Sequence, residues 1–418
     1  MANMTVSNFG SLLKQTSHPD KIAPSVYDDN PLLGLIQKNE KMGGDAFKVP
    51  VQYADVQGRS HTFSSAQSNR TGVAAAAFLV TRKKDYVSVG IDNEAILASL
   101  DPDAAFVKAV TEGMESGFRR AAENLEKELF GDGNSYLGRV GSGEGTATIT
   151  LQNIEEIVNF APGQIVQAVT SAGTTLRSGT ATIGDIDRDL GTLSTASGNN
   201  WTTDISSLTA GASGDWLFQS GDRGSTGIVA QGFDGLKAWI PTSAPSATTF
   251  FGVDRTADVS RLGGLRYTAS GAPVAEALYA AQARGAREGA KMDVCFLSIN
   301  KYKELNTTLD SKRVYQDLMA KIPNSTATIG YRSVVVEGFI KPINVFATRH
   351  LRDNEGYLLT MDKLYLGSLG GAPKLLSYNG VAPDGVVISN EDALELRIGH
   401  YANMYTPNPG WHMYMDLT

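Results

Sequence analysis

The chain has 418 residues, 42% hydrophobic and 19% charged, with a net charge of −7, which are the proportions of a folded protein with room for two or three domains. The acidic balance points away from a dedicated nucleic-acid binder, and the single cysteine, Cys295, excludes an internal disulfide. No apolar run approaches the ~18 residues of a membrane span, and the first residues lack the basic and apolar regions of a secretory signal, so folding in a cytosol is expected.

Residues 1–45 carry no sustained period. Pro19, Pro24 and Pro31 interrupt them, and Leu32, Leu33, Leu35 and Ile36 form one short helical patch. The sequence predicts an extended arm with a small helix, which lacks a core of its own and must lie on something. Residues 46–95 form a long two-stranded ribbon. Phe47, Val49, Val51 and Tyr53 alternate with Lys48, Pro50 and Gln52, and a return strand runs from Phe78 to Ile91. Pro50 belongs on an edge strand. The intervening stretch, Gly58 to Ala75, is polar and contains Arg59 and Arg70. A ribbon of this kind is marginal by itself in water, so it is expected to rest on another domain or on a neighbouring subunit.

Asp101 to Gly131 reads as one long helix within residues 96–140. Asp101 is a suitable N-cap and Pro102 fits the first helical position. Gly131 is expected to close the C-terminus in the left-handed conformation. Phe106, Val107, Val110, Met114, Phe118, Ala121, Leu125 and Leu129 make a single apolar stripe. About 28 residues at ~1.5 Å each give a rod of roughly 42 Å. Gly113 and Gly117 each weaken it by ~1 kcal/mol relative to Ala and are expected to admit a close neighbour.

Gly131 to Gly145 is glycine-rich and reads as a flexible connection. Residues 141–225 are rich in Thr, Ser, Gly and β-branched residues, with strands expected at 164–170, 174–183, 190–195 and 214–219; this is a small β-barrel or sandwich inserted into the main fold. Residues 226–385 are mixed. Helices at Ala272–Gly289 and Ile299–Leu309, a strand at Met292–Ser298, and strands at 333–339, 343–347 and 357–366 predict a sheet flanked by helices. Residues 386–418 read as terminal strands. Leu394 to Met404 alternates, Pro407-Asn-Pro-Gly410 turns the chain, and Trp411, Met413, Met415 and Leu417 return. This hairpin is expected to cover the stripe of the long helix. The fold class is therefore α+β.

Catalytic and ligand motifs fail. Gly131-Asp-Gly-Asn-Ser-Tyr136 begins like a dinucleotide loop but follows a helix and has Tyr136 in place of the third glycine. There is no phosphate-binding Walker loop and no Gly-x-Ser-x-Gly elbow. His18, His61, His350, His400 and His412 have no i,i+4 partners for a metal, and His400 is expected in the core. Asp185-Ile-Asp-Arg-Asp189 lacks the Gly and Glu of a calcium loop; a turn with Gly191 at positive φ explains it better. No catalytic residue, cofactor or metal is expected. The basic run Arg82-Lys83-Lys84, and Arg119 and Arg120 on the helix, read either as solvated faces or as contacts to an acidic neighbour.

The order of parts resembles the major capsid proteins of tailed bacteriophages, the Hong Kong 97-type capsid fold, over nearly the whole chain. Local wording adds to it: Glu128-Leu-Phe-Gly-Asp-Gly133, Phe250-Phe-Gly-Val-Asp-Arg255 with Arg261-Leu-Gly-Gly264, and Ile398-Gly-His-Tyr-Ala-Asn-Met404. The resemblance implies an E-loop in the ribbon and a spine helix with the terminal strands in a peripheral (P) domain. It also implies an axial (A) domain over 226–385. It further implies pentamers and hexamers that tile an icosahedral shell around double-stranded DNA, without sequence-specific binding. Location in a virion, assembly in the host cytoplasm, and portal, scaffolding or decoration proteins as further partners are implied as well. Arg59, Arg70, Arg82, Lys83, Lys84, Arg119 and Arg120 are then candidate contacts between subunits. The lysine–asparagine cross-link of some members is not carried over, because no partner for Lys83 or Lys84 is identified. Alternatives are an encapsulin-like protein compartment and a β-rich fibre or adhesin.

Overall fold

A computed structural model describes residues 30–98, 109–223, 231–310, 334–336, 338, 340–376, 386–387 and 392–418. The predicted helix start at Asp101 and Pro102, and most of the arm, lie outside these residues.

The arm meets the body at α1 (Pro31–Leu35), where the sequence places a helical patch, and at the short strand β1 (Gln37–Asn39). Leu32, Leu33 and Ile36 are buried in the largest core cluster. β2 (Ala46–Ala54) and β3 (Ala74–Thr81) pair antiparallel as the ribbon. Its apolar face closes on its own chain: Val49, Val51, Phe78 and Val80 are buried, and the Phe78 ring meets Trp239 edge-on at 5.1 Å. Between the strands, a short helix α2 (Phe63–Ser68) forms the tip, with no buried residue.

The return strand is not continuous. It breaks at Arg82, and β4 (Lys83–Asp92) leaves the ribbon to pair with the 13-residue strand β19 (Ala393–Tyr405), from Ala402↔Lys83 to Ala393↔Asp92. Alternation persists through the break because both strands are one-sided; only the partner changes. The other edge of β19 is shared by β16 (Tyr365–Ser368), β17 (Lys374–Leu375) and β18 (Val386–Val387), and β1 runs parallel to β16.

The long helix, α3 (Ala109–Phe130), lies on this sheet. Its buried row is Gly113, Gly117, Ala121, Leu125 and Leu129, spaced by four as one helical face requires. The row widens along the axis: small residues lie over β4 and β19, leucines enter the main core. A Cβ on Gly113 would stand 2.8 Å from Ile91, and one on Gly117 would stand 2.6 Å from Ile398. The cover over this row is β19 with β4, not the terminal hairpin that the sequence predicted. Gly131 is not the left-handed residue after the helix; Gly133 (φ 88°) and Ser135 (φ 55°) are.

The stretch expected to be a flexible connection contains β5 (Tyr136–Ser142), the first strand of a closed six-stranded barrel. The others are β6 (Thr148–Leu151), β7 (Ile165–Val169), β8 (Ala181–Asp187), β9 (Thr192–Thr195) and β10 (Trp216–Gln219), in the order β10-β5-β6-β9-β8-β7. Trp201, Phe160, Leu193 and Leu217 fill it. Asp185 and Asp187 end β8, and the predicted turn follows them: Gly191 has φ 66°, and Asp187 Oδ1 accepts the N–H groups of Asp189 and Leu190.

A mixed sheet completes the fold. Its order is β11 (Leu265–Thr268), β20 (Met413–Asp416), β15 (Glu355–Leu359), β12 (Val294–Ser298), β14 (Ile343–Thr348), β13 (Val334–Val336). α4 (Val274–Arg287) and α5 (Ile299–Asp310) belong to the same unit, whose core includes Ala277, Leu278, Leu297, Leu305 and Met413. The expected terminal hairpin does not form. β20 pairs with β15 and β11, while β19 stays in the other sheet. The expected strand 357–366 likewise divides between the sheets as β15 and β16.

Candidate assembly surfaces

The ribbon tip is an exposed apolar feature among the described residues. Phe63 is 78% exposed, Val56 62% and Val73 54%. Arg59 and Arg70 flank them and are exposed. Arg70 Nε donates to Gln67 O at 3.1 Å, within the tip. The sequence marked this stretch by its arginines and polarity; Phe63 was missed because one aromatic in a polar loop has no periodicity.

The other candidate cations divide by whether the chain already uses them. Arg82 donates to the Met42 carbonyl at 2.7 Å. Lys83 lies 3.8 Å from the Asp234 carboxylate. Asp234 accepts from Asn403 Nδ2 at 3.0 Å; burial raises the pKa of Asp234, while Lys83 and Asn403 pull it back. Arg119 pairs with Glu112 at 3.0 Å, and Arg120 approaches Glu123 at 3.9 Å. Glu123 is held more closely by Arg349, at 2.6 Å. Lys84 is exposed on β4. Arg59, Arg70 and Lys84 therefore face solvent, while Arg82, Lys83, Arg119 and Arg120 are engaged internally.

Behind these surfaces a cleft of about 440 Å³ separates the barrel from the mixed sheet and the end of α3. Its walls carry Glu128, Tyr136, Trp216, His350 and Arg352. Tyr136 and Trp216 stack at 4.8 Å, with Arg223 over the first ring and Arg139 and Arg352 near the second. Glu128 is buried and accepts from Ser135 Oγ at 3.1 Å. Burial raises its pKa to about 7, against the pull of Lys127. Burial likewise lifts Asp222 to about 6 and lowers Lys127. His350 is driven down to about 3 by burial, then by Arg349 and Lys127, so its imidazole is neutral. Sequence reasoning missed this cluster because Glu128 sits in a charged helical run that reads as a solvated face. Among the described residues, no group of three His, Cys, Asp or Glu is placed to hold a metal. No helix among them is long and apolar enough to cross a membrane.

The arrangement is an α+β body with a supported ribbon and an unsupported tip, a fold shared with a solved capsid chain. The chain superimposes on a chain of the cyanophage A-1(L) capsid asymmetric unit with a TM-score of 0.55 at 14% identity, covering 97% of each chain. It is also similar to the capsid of a native GTA particle (TM-score 0.48, 8% identity, 100% of each chain). A third similar structure is the SrpI encapsulin of Synechococcus elongatus (TM-score 0.46, 8% identity, 100% of this chain and 96% of the other). No family model and no curated protein matches the sequence.

Proposed function

We propose that this chain is the major capsid protein of a tailed bacteriophage, assembling as pentamers and hexamers into an icosahedral shell around double-stranded DNA. The observation that carries this is the superposition on the cyanophage A-1(L) capsid chain over 97% of both. In Hong Kong 97-type terms, the ribbon β2–β3 serves as the E-loop and α3 as the spine helix. The sheet of β4 and β19 belongs to the P-domain, and the mixed sheet with α4 and α5 to the A-domain. The barrel is an accessory unit inserted between spine helix and A-domain.

The energetics support shell formation. A tip that exposes Phe63, Val56 and Val73 gains by burial against a second copy, at ~25 cal/mol per Å² of apolar surface. Arg59, Arg70 and Lys84 are proposed as the charged contacts to neighbouring copies. Many modest contacts per subunit let assembly errors anneal. The net charge of −7 suits containing DNA rather than gripping it.

Negative-stain electron microscopy of the protein expressed alone tests the proposal. Closed icosahedral shells or ring-shaped capsomers are expected. A monomer that persists at high concentration overturns it, and DNA-free shells that carry a co-purified enzyme would move the assignment to a protein compartment.

A further inference from the structure

Most of the chain's negative charge lies on the barrel. Residues 136–223 carry nine acidic residues and four arginines, a net of −5, against −7 for the whole chain. The ribbon is the opposite. Across residues 46–81, Lys48, Arg59 and Arg70 outnumber Asp55, a net of +2. Each unit also exposes an apolar spot amid that charge. At the tip it is Phe63, with Arg59 and Arg70 on either side in the chain. On the barrel it is Leu190, 63% exposed, with Ile154, 49% exposed. The two belong to one patch: Leu151 N–H donates to Gly191 O at 3.0 Å, and a Cβ on Gly191 would stand 3.1 Å from Ile154 Cγ1. Asp185 and Asp187 are on the exposed positions of β8, whose buried positions are Ala181 and Ile183, and Asp189 is exposed in the turn. The one cation of this run, Arg188, donates to the Ile157 and Phe160 carbonyls at 3.2 and 3.1 Å. It is turned onto the barrel's own backbone, and the run keeps a net charge of −2.

We propose that the barrel is the receptor for the ribbon tip of a second copy of this chain. Phe63 seats against Leu190 and Ile154, with Arg59 and Arg70 opposite Asp185 and Asp189. This rests on the proposal that copies assemble, and it gives the accessory barrel its part in that assembly. Charge and apolar surface agree: a basic tip with an aromatic anchor meets an acidic rim around two aliphatic side chains. The tip's own bonds leave this face open, since Gln57 N–H donates to Thr71 Oγ1 at 2.9 Å and Arg70 Nε to Gln67 O, both within the tip. A contact between unlike surfaces, the tip of one copy on the barrel of the next, is heterologous and closes into rings, as capsomers require.

Cysteine pairing on the full chain tests this, because the natural Cys295 is buried. Ser64→Cys at the tip and Gln152→Cys beside the patch keep every group named in the contact, and both positions are exposed. Mixed under assembly conditions and oxidised, these two chains should give a disulfide-linked dimer on a non-reducing gel. Ser64→Cys mixed with Leu97→Cys, an exposed position on the helix Asn93–Ala98, should not. In a charge swap, Arg59→Asp with Arg70→Asp should raise the concentration needed for assembly by about tenfold or more, with an unchanged urea midpoint. Adding Asp185→Arg and Asp189→Arg to the same chain should bring assembly back; Asp187 is left alone because it holds the turn. Shells that form without the Ser64–Gln152 link, a link to Leu97→Cys in its place, or a swap that restores nothing would each overturn the barrel as receptor while leaving the shell intact. A wild type that stays monomeric at high concentration overturns both.

Discussion

Glu126 binds Leu33 through the backbone: the Leu33 N–H donates to Glu126 Oε2 at 2.7 Å, and the adjacent Leu32 N–H donates to Oε1 at 2.9 Å. A fully buried carboxylate thus satisfies the first free N–H groups of the arm's only described helix. Glu126→Ala leaves two buried donors unpaired, at ~1–3 kcal/mol each. Denaturant unfolding should show a loss of ~2–5 kcal/mol, and hydrogen exchange should rise at residues 31–36. Glu126→Gln, with one acceptor left, should recover part of the loss.

Gly117 is where the sheet comes nearest the long helix. Alanine would gain ~1 kcal/mol of helix propensity, but its Cβ would stand 2.6 Å from Ile398 Cδ1 and 3.0 Å from Val89 Cγ2. Overpacking costs ~1–3 kcal/mol, so Gly117→Ala should destabilise despite its better propensity. Ile398→Val alone should cost ~0.5–1.5 kcal/mol. Combined, the two should cost less than their sum, because the methyl that clashes is the one removed. A double-mutant cycle by urea unfolding measures that coupling.

These two sites show what the sequence discloses. The ribbon's first strand, α4 and the C-terminal half of the α3 stripe (Ala121, Leu125 and Leu129) were legible because each has one buried face and therefore a period, and β12, buried at every position, was legible as an unbroken apolar run; Gly113 and Gly117, buried in place of Met114 and Phe118, were not. The role of Glu126 was not, since an acid in a charged helical run reads as solvated until the arm is laid over it. β5 was hidden by its glycines. Gly138 lies under Phe160, and Gly141 presses on the backbone of Leu151 and Gln152, so residues that look like linker are what lets a small barrel close. The break at Arg82 and the parting of β19 from β20 depend on which partner each strand finds, and alternation carries no information about partners.

Stability should pass through a maximum with pH. Glu128 titrates near 7 in the fold, above its ordinary value of 4.5. Folding therefore favours its protonated form, and stability falls as pH rises from about 4.5 to about 7. At 1.36 kcal/mol per unit this is at most ~3 kcal/mol. His412 works the other way. Burial lowers it to about 4; its Nδ1 accepts from the Thr360 N–H and its Nε2 meets Thr406 Oγ1 at 3.0 Å. Its neutral form is favoured, so stability falls as pH drops below 6.5, by ~2 kcal/mol at pH 5. Glu128→Gln should stabilise the protein at pH 8 and leave it little changed at pH 4.5 in a urea series across pH.

The ribbon tip should separate assembly from folding. Phe63 is exposed in the single subunit, and no residue of its helix is buried, so Phe63→Ser should change the subunit's unfolding free energy by less than ~0.5 kcal/mol. The same ring is a large apolar group flanked by Arg59 and Arg70, the composition of residues that dominate binding at interfaces. Replacing all three, Arg59→Ser, Phe63→Ser and Arg70→Ser, should abolish shells in sedimentation velocity and leave a folded subunit or small oligomer. Substituting Val49, on the same ribbon but buried in the subunit's own core at 3% exposure, should do the reverse. Val49→Ala should lower the unfolding free energy by ~1–3 kcal/mol, while the surviving folded protein still assembles. Shells that form normally without Phe63, Arg59 and Arg70 would remove the tip from the contact and place it on another surface.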